Sequence, residues 1–198
     1  MGEYRREKIW DGVTRAWHWT LVVVVAAGWY FGEFMSFTTI DWHFYCGYTV
    51  LGLVLFRLFW GLVGPGPVRL RSLFPGPRAL LAYLERIPRR EPSGTRGHNP
   101  LAGLWVLAIL ALLLGQAGIG LFLSSDDFFE SGPLAYLVSD EVSAFLTGWH
   151  KAFAKALLAL VAVHVSAILF YLFWKKENLV VPMITGWKWV RAGSREPR

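Results

Sequence analysis

Four stretches of the chain are almost wholly apolar, and each has the length of a membrane-spanning helix, which requires about 20 largely apolar residues. The four stretches are residues 16–32, 42–63, 101–123 and 149–174. In the third stretch Gln116 is the only strongly polar residue, and the Asn99–Pro100 pair before it is typical of a helix start. The pattern predicts an all-α integral membrane protein, a bundle of four transmembrane helices.

The segments between these stretches alternate in charge. Lys and Arg crowd the N-terminal segment, the loop 64–100 and the C-terminal tail, whereas the other two connections contain neither. Those two connections hold acidic residues instead: Glu33, Asp41, Asp126, Asp127, Glu130, Asp140 and Glu141. Because basic residues mark the cytoplasmic side, we predict that both termini and the loop 64–100 are cytoplasmic. The loop 124–148 then lies on the opposite side.

The loop 64–100 contains one further helical pattern. In the sequence PGPRALLAYLERIP, Leu80, Leu81 and Leu84 share one face of a helix. This pattern predicts a short amphipathic helix on the cytoplasmic membrane surface. An ordinary loop helix without lipid contact is the alternative.

Composition agrees with lipid as the main solvent. Of 198 residues, 55% are hydrophobic and 17% are charged, whereas a soluble domain carries about 25% charged residues. The length suits a single domain, 1–198. The net charge of +6 arises from residues beside apolar stretches, which favours contact with anionic lipid over nucleic-acid binding. The one cysteine, Cys46, and the lack of a CxxCH motif exclude covalent attachment of haem c.

Four of the five histidines lie in or at the ends of the apolar stretches. An ionisable group within a membrane is costly and usually functional, although a single histidine can simply bond two helices together. His150 and His164 are 14 residues apart, which places them within about 40° on one helix face and ~21 Å apart along the axis. His43 is level with His150, and His18 is level with His164.

Two level pairs of imidazoles suit two low-spin haem groups, because each iron takes two axial ligands. A structural zinc site requires four clustered ligands, and these histidines fall into two separated pairs. We therefore predict two b-type haems, one between His43 and His150 and the other between His18 and His164. These four histidines are the predicted cofactor-binding and metal-ligating residues, and no catalytic residue is assigned.

Other residues near the stretches have two interpretations each. His98, in RGHNP, is a capping or solvent-exposed residue, or else belongs to a proton-handling or quinone site. Glycines inside the spans make room for haem or let helices pack closely: Gly28, Gly47, Gly52, Gly115, Gly118 and Gly120. Cations near helix ends pair with haem propionates or reach lipid phosphates: Arg15, Arg57, Lys151 and Lys155.

Several motifs resemble one family in order along the chain. They are WDGVTRAWHW, DWHFYCGYTVLGLVLFRLFWGLVGP, GHNPLAG, and the His150–His164 segment ending in KKENLVVPMITGWKW. They are similar to the bacterial dihaem membrane cytochrome b superfamily, which includes cytochrome b561 and the b-type subunit of nickel–iron hydrogenases, and most similar to its stand-alone members. The resemblance implies a multi-pass protein of the bacterial inner membrane, with axial ligands at the same four histidines and with the loop 124–148 in the periplasm.

The resemblance implies electron transport in a respiratory chain. Electrons would pass between the quinone pool and a periplasmic c-type cytochrome or dehydrogenase subunit. An enzyme that oxidises quinol or reduces quinone, including one that acts on superoxide or a similar small oxidant, is a second hypothesis. A membrane anchor within a larger redox complex is a third, and the acidic loop 124–148 is compatible with it. A transporter or scaffold without redox function would leave the paired histidines unexplained.

Overall fold

The computed structural model describes residues 4–93, 95–125 and 130–191. Within them the chain is mostly helical, as expected for an all-α membrane protein. The helices are α1 Gly12–Glu33, α2 Ile40–Val63, α3 Pro77–Leu84, α4 Pro100–Gly120, α5 Asp140–Phe173 and α6 Val180–Thr185. Three of these, α2, α4 and α5, are long and apolar enough to cross a membrane. The prediction of a fourth span rests on α1, which has 22 residues but carries Arg15, Trp17 and His18 in its first half.

Large apolar side chains along the helices are turned outward. Val23 is 66% exposed and Leu62 is 70% exposed. A water-soluble protein rarely exposes so many apolar side chains together. The outer surface of these helices therefore suits the hydrocarbon of a lipid bilayer.

The helix ends differ from the predicted span limits. Helix α5 begins at Asp140, nine residues before the predicted start at 149, and α4 ends at Gly120 rather than at 123. Hydropathy marks where a helix becomes apolar, whereas a helix can continue into the polar boundary. Asp140 and Glu141 in the first turn of α5 also favour an early start, because acidic residues stabilise a helix N-terminus.

The predicted loop 124–148 is consequently shorter, because its last residues belong to α5. It contains a small antiparallel hairpin of β2, Ser124–Ser125, and β3, Glu130–Ser131. The side chain of Ser143, in α5, accepts a hydrogen bond of 3.0 Å from the backbone of Ser124. Asp126 and Asp127, two of the acidic residues predicted for this loop, lie outside the described residues.

A second antiparallel pair was not predicted from the sequence. Strand β1, Tyr4–Lys8, pairs with β4, Trp187–Arg191, so that the segment before α1 is bonded to the segment after α6. Within β4, Lys188 and Val190 are buried and Trp189 is exposed, the alternation of a half-buried strand. The charged sequences of both strands hide this alternation from a search for apolar positions.

Two other predicted local structures are present. Helix α3 covers the amphipathic segment with Leu81 and Leu84 exposed, and its contact with the membrane surface stays a prediction. Asn99 caps α4, since its side-chain oxygen accepts a hydrogen bond of 2.8 Å from the backbone of Ala102. Pro100 is the first residue of α4, as predicted.

The chain divides into two compact units. Unit 1 comprises residues 1–17, 57–108 and 161–198, and unit 2 comprises residues 18–56 and 109–160. Unit 1 has a small apolar core of Ile9, Trp10, Val68 and Val190. Gly186, with a φ of 86°, ends α6 in this unit, and its carbonyl accepts hydrogen bonds from the backbone of Ile9 and Trp10. A side chain at Gly186 would come within 2.6 Å of the Trp10 carbonyl, so this turn requires glycine.

Unit 1 also buries charged residues, two of which form an ion pair. Glu177 and Lys188 form an ion pair of 3.0 Å with only 9% and 7% of their side chains exposed. The carboxylate of Glu177 also accepts hydrogen bonds from the backbone and hydroxyl of Ser93. Burial by itself would raise the pKa of Glu177, but the charge of Lys188 and these hydrogen bonds outweigh it and lower that pKa.

Candidate haem-ligand site

Unit 2 brings two of the predicted ligands together. His43 lies in the first turn of α2, and His150 lies in the third turn of α5. The centroids of their imidazole rings are 6.1 Å apart, and the ring planes are inclined by 77°. Both side chains are half-buried.

This spacing fits two axial ligands of one metal ion. Bonds between metals and imidazole nitrogens are about 2 Å long, so two rings on opposite sides of an ion have centroids about 6 Å apart. Among the described residues no cluster of three or more His, Cys, Asp or Glu side chains forms a metal site. The two imidazoles by themselves could supply two protein ligands, the number that haem iron accepts.

Hydrogen bonds leave His43 a free lone pair for a metal, whereas His150 uses its Nε2 lone pair to accept a hydrogen bond. Nδ1 of His43 lies 2.9 Å from the backbone carbonyl of Gly28 and must donate to it, since a carbonyl only accepts. Nε2 of His43 then keeps its lone pair, and the carbonyl fixes the ring orientation, as ligating histidines usually require. On His150, Nε2 accepts from the side-chain amide of Gln116 at 3.1 Å.

Gln116 contacts a predicted ligand, a role that was not predicted from the sequence. It is the one strongly polar side chain in the apolar stretch 101–123, and it contacts the imidazole of His150. Its isolation in an apolar stretch could have indicated this contact, because a polar group within an apolar span needs a partner.

Glycines lie beside both rings, tightly at His43 and at ordinary contact distance at His150. A side chain at Gly32 would come within 2.9 Å of Cε1 of His43, and one at Gly120 within 3.4 Å of Cε1 of His150. Gly32 was not among the predicted glycines, whereas Gly120 was. Two others of that set face protein side chains: Gly28 faces Cys46, and Gly115 faces Phe153. A side chain at Gly47, Gly52 or Gly118 would meet no described atom within 4 Å.

The other two predicted ligands are placed as follows. His18 is a half-buried residue of α1 in unit 2, with its ring edge-on to Trp19 at 5.2 Å. His164 is a half-buried residue of α5 in unit 1. The pairing of His18 with His164 stays a prediction.

The surroundings of His98 and of the four cations near helix ends differ from one another. The ring of His98 packs against Trp10 at 4.9 Å, so His98 is not a freely exposed side chain. Lys151 and Lys155 are exposed, and Arg15 donates a hydrogen bond to the backbone carbonyl of Ile184. Arg57 is only 3% exposed, with its guanidinium over the ring of Trp17 at 5.8 Å.

Apolar helices with a pair of neighbouring imidazoles are compatible with a membrane-bound cytochrome. The model of the prokaryotic cytochrome b561 family matches residues 9–186, and the chain belongs to this family. A comparison with curated proteins gives no match. Membership confirms the resemblance found in the sequence and assigns the chain to the bacterial membrane proteins that transfer electrons by b-type haem.

Proposed function

We propose that this protein carries electrons across the bacterial inner membrane through two b-type haems. His43 and His150 would hold the haem on the periplasmic side, and His18 and His164 would hold the haem on the cytoplasmic side. The electrons would move between the quinone pool and a periplasmic c-type cytochrome or dehydrogenase. Four helices would cross the membrane, with both termini in the cytoplasm.

The observation that carries this proposal is the pair of imidazoles in unit 2. His43 and His150 have ring centroids 6.1 Å apart, which two axial ligands of one iron require. Haem supplies the one-electron chemistry when bound. The carbonyl of Gly28 would hold the ring of His43 in orientation, and the lack of a side chain at Gly32 would leave room for that ring. Gln116 would release Nε2 of His150 when the iron binds. With both imidazoles bound, the iron would have no open position, which would favour electron transfer over binding of oxygen.

The second haem is supported by the register of α5. This helix is continuous from Asp140 to Phe173, so His150 and His164 lie on nearly one face, ~21 Å apart along its axis. The sequence puts His18 at a matching depth on α1. One helix would thus supply a ligand to each haem.

The charges at the ends of the helices support the orientation and the kind of partner. Glu130, Asp140 and Glu141 are exposed, and no Lys or Arg lies between Ser124 and Gly148. By the positive-inside rule this acidic surface faces the periplasm. An exposed acidic surface favours the approach of a basic redox protein.

The test is haem counting in the purified, detergent-solubilised protein. We expect two b haems per chain, measured by pyridine haemochrome and by the reduced-minus-oxidised spectrum. His43→Ala and His150→Ala should each lose the same haem, and His18→Ala and His164→Ala should each lose the other.

His98→Ala provides the matched control, because it removes an imidazole outside the proposed ligand set and should leave both haems bound. A haem content that does not respond to the four ligand substitutions would refute the ligand assignment. A protein purified with one haem per chain would refute the dihaem proposal while leaving the site at His43 and His150 open.

A further inference from the structure

A turn of residues 86–90, the arginine turn, follows α3 and is bonded to the end of α5 within unit 1. Lys175 lies just beyond the end of α5 and is only 5% exposed. Its Nζ atom donates hydrogen bonds of 2.9 Å to the carbonyl of Arg86 and of 2.5 Å to the carbonyl of Arg89. These bonds use the backbone of the turn, so they hold it in place without occupying the guanidinium groups.

Trp174, the first residue after α5, makes two further contacts with the arginine turn. Its indole nitrogen donates a hydrogen bond of 3.3 Å to the carbonyl of Pro88, and the guanidinium of Arg90 lies over its ring at 5.5 Å. Trp174 nevertheless stays 45% exposed. A tryptophan at the end of an apolar span favours the boundary between hydrocarbon and headgroups. These contacts therefore bring the arginine turn to the depth of the lipid headgroups.

The side chains of the arginine turn are exposed and carry unpaired charge. Arg86, Arg89 and Arg90 are exposed, and among the residues that the structure describes none of the three forms an ion pair. Glu85 and Glu91 lie next to the turn and are exposed as well. Between positions 71 and 91, however, five arginines stand against two glutamates. This surface therefore attracts an anion from outside the chain.

Helix α3 adds an apolar surface beside these charges. Arg78, Leu81 and Leu84 follow one another at intervals of three residues, so they are neighbours on one helix face. Leu81 is 62% exposed and Leu84 is 41% exposed. Exposed apolar side chains bordered by arginines are typical of a helix that lies in a membrane interface. An occupant of this surface must combine an anionic group with an apolar part, as a phospholipid does.

We propose that the arginine turn and α3 bind anionic phospholipid, with the arginines on its phosphate and with Leu81 and Leu84 against its acyl region. Guanidinium groups form paired hydrogen bonds with phosphate oxygens, so arginine suits this ligand. Anionic lipid attracts basic side chains at the membrane surface, whereas the positive group of a zwitterionic headgroup opposes that attraction. The inference takes from the proposed function only that α5 crosses the membrane, and it requires no haem.

The test is native mass spectrometry of the full-length protein in detergent, titrated with phosphatidylglycerol or with phosphatidylcholine. Wild type should bind phosphatidylglycerol more tightly than phosphatidylcholine. In Arg86→Gln/Arg89→Gln the affinity for phosphatidylglycerol should fall about twentyfold, and the affinity for phosphatidylcholine should change little. Because Lys175 bonds to backbone carbonyls, these substitutions leave the bonds that hold the arginine turn.

Arg5→Gln/Arg6→Gln is the matched control, since it removes two exposed arginines from β1 in the same unit. Arg5 already pairs with Glu7, so this variant should keep the preference for phosphatidylglycerol. Equal affinities of wild type for the two lipids would overturn the inference. So would an unchanged affinity in Arg86→Gln/Arg89→Gln, or an equal loss in the control.

Leu81→Ser/Leu84→Ser separates a phospholipid from a free anion. This variant should bind phosphatidylglycerol more weakly, and inorganic phosphate at equal concentration should not displace the lipid from wild type. An unchanged affinity in the variant, or displacement by phosphate, would contradict the inference. Polyglutamate is the probe for an acidic partner protein. If polyglutamate binds more tightly than phosphatidylglycerol, and loses that binding in Arg86→Gln/Arg89→Gln, the occupant is a protein and the inference is wrong.

Single substitutions keep the inference testable if a double variant does not fold. Arg86→Gln and Arg89→Gln should each weaken the binding of phosphatidylglycerol about fivefold, and an unchanged affinity in both would contradict the inference. Haem content is measured on the same samples by pyridine haemochrome and should not change with these substitutions. Failure of lipid binding and failure of the proposed function are thus read from separate signals.

Discussion

The hydrogen-bonded side chains that characterise the two units differ in charge. In unit 2 the half-buried imidazoles of His43 and His150 are neutral and bond to a carbonyl and to an amide. In unit 1 the buried side chains of Glu177 and Lys188 are charged and bond to each other as an ion pair. Neutral imidazoles can exchange a hydrogen bond for a metal without leaving a charge uncompensated, whereas the members of an ion pair cannot separate cheaply. The His43–His150 pair therefore suits the binding of a metal, whereas the charged network of unit 1 suits the joining of chain segments.

The joining role follows from what the network connects. Glu177 follows α5, Ser93 lies in the loop before α4, and Lys188 lies in β4. Near the same loop, Arg96 pairs with Glu7 of β1 at 2.7 Å. These bonds join segments that are far apart in sequence, so the network should determine stability without touching the proposed haem ligands.

The largest expected effect is the loss of one haem in Gly32→Ala. The new methyl group would lie 2.9 Å from Cε1 and 3.0 Å from Nδ1 of His43. The ring must move, and its bond to the Gly28 carbonyl is lost. We expect haem content measured by pyridine haemochrome to fall toward one per chain, with the haem that requires His43 and His150 as the one lost.

Gly148→Ala is the control for this substitution. Gly148 lies two residues before His150 in α5, and a side chain there would meet no described atom within 4 Å. Alanine should be tolerated, since it is the better helix former. Equal haem content in Gly32→Ala and Gly148→Ala would contradict the close fit of His43 against α1.

The next largest effect is a loss of stability in Glu177→Ala. This substitution leaves Lys188 buried without its anion, which costs about 3–5 kcal/mol for a buried pair. The free energy of unfolding in detergent should fall by this amount, and both haems should remain in the protein that stays folded. Replacing both partners in Glu177→Met/Lys188→Met should recover much of the loss, because no unpaired charge is left.

Glu7→Ala is the comparison for a more exposed ion pair. The side chains of Glu7 and Arg96 are 17% and 27% exposed, and exposed pairs contribute about 0–1 kcal/mol. An equal loss in Glu7→Ala and Glu177→Ala would show that burial does not distinguish the two pairs. Loss of haem from folded Glu177→Ala would contradict the prediction that the Glu177 network stabilises the protein without taking part in haem binding.

The sequence predicts unit 2 better than unit 1, for a physical reason. Because a helix has a fixed rise per residue, residue numbers predict that His43 and His150 lie at the same depth. In the structure their two rings are neighbours. The pairing of β1 with β4, and of Glu177 with Lys188 and Ser93, depends on how distant segments return to one another. No local pattern around Glu177 specifies these partners. Gly32 was missed for the same reason, since only the packing of α1 against α2 reveals the contact with His43.

The smallest expected effect is the acid dependence of the Glu177 network. The pKa of Glu177 is lowered from its ordinary value of 4.5, so its ionised form is favoured in the folded protein. The stability that this provides is complete above pH 4.5 and is lost as the pH falls through the lowered pKa of the folded state.

Glu177→Gln resembles the protonated side chain at every pH. The gap in unfolding free energy between wild type and Glu177→Gln should therefore be full at pH 7 and should close progressively below pH 4.5. The same comparison with Glu7→Gln should give a smaller gap at pH 7, and a gap for Glu177→Gln that persists unchanged at low pH would rule out the carboxylate charge as its source.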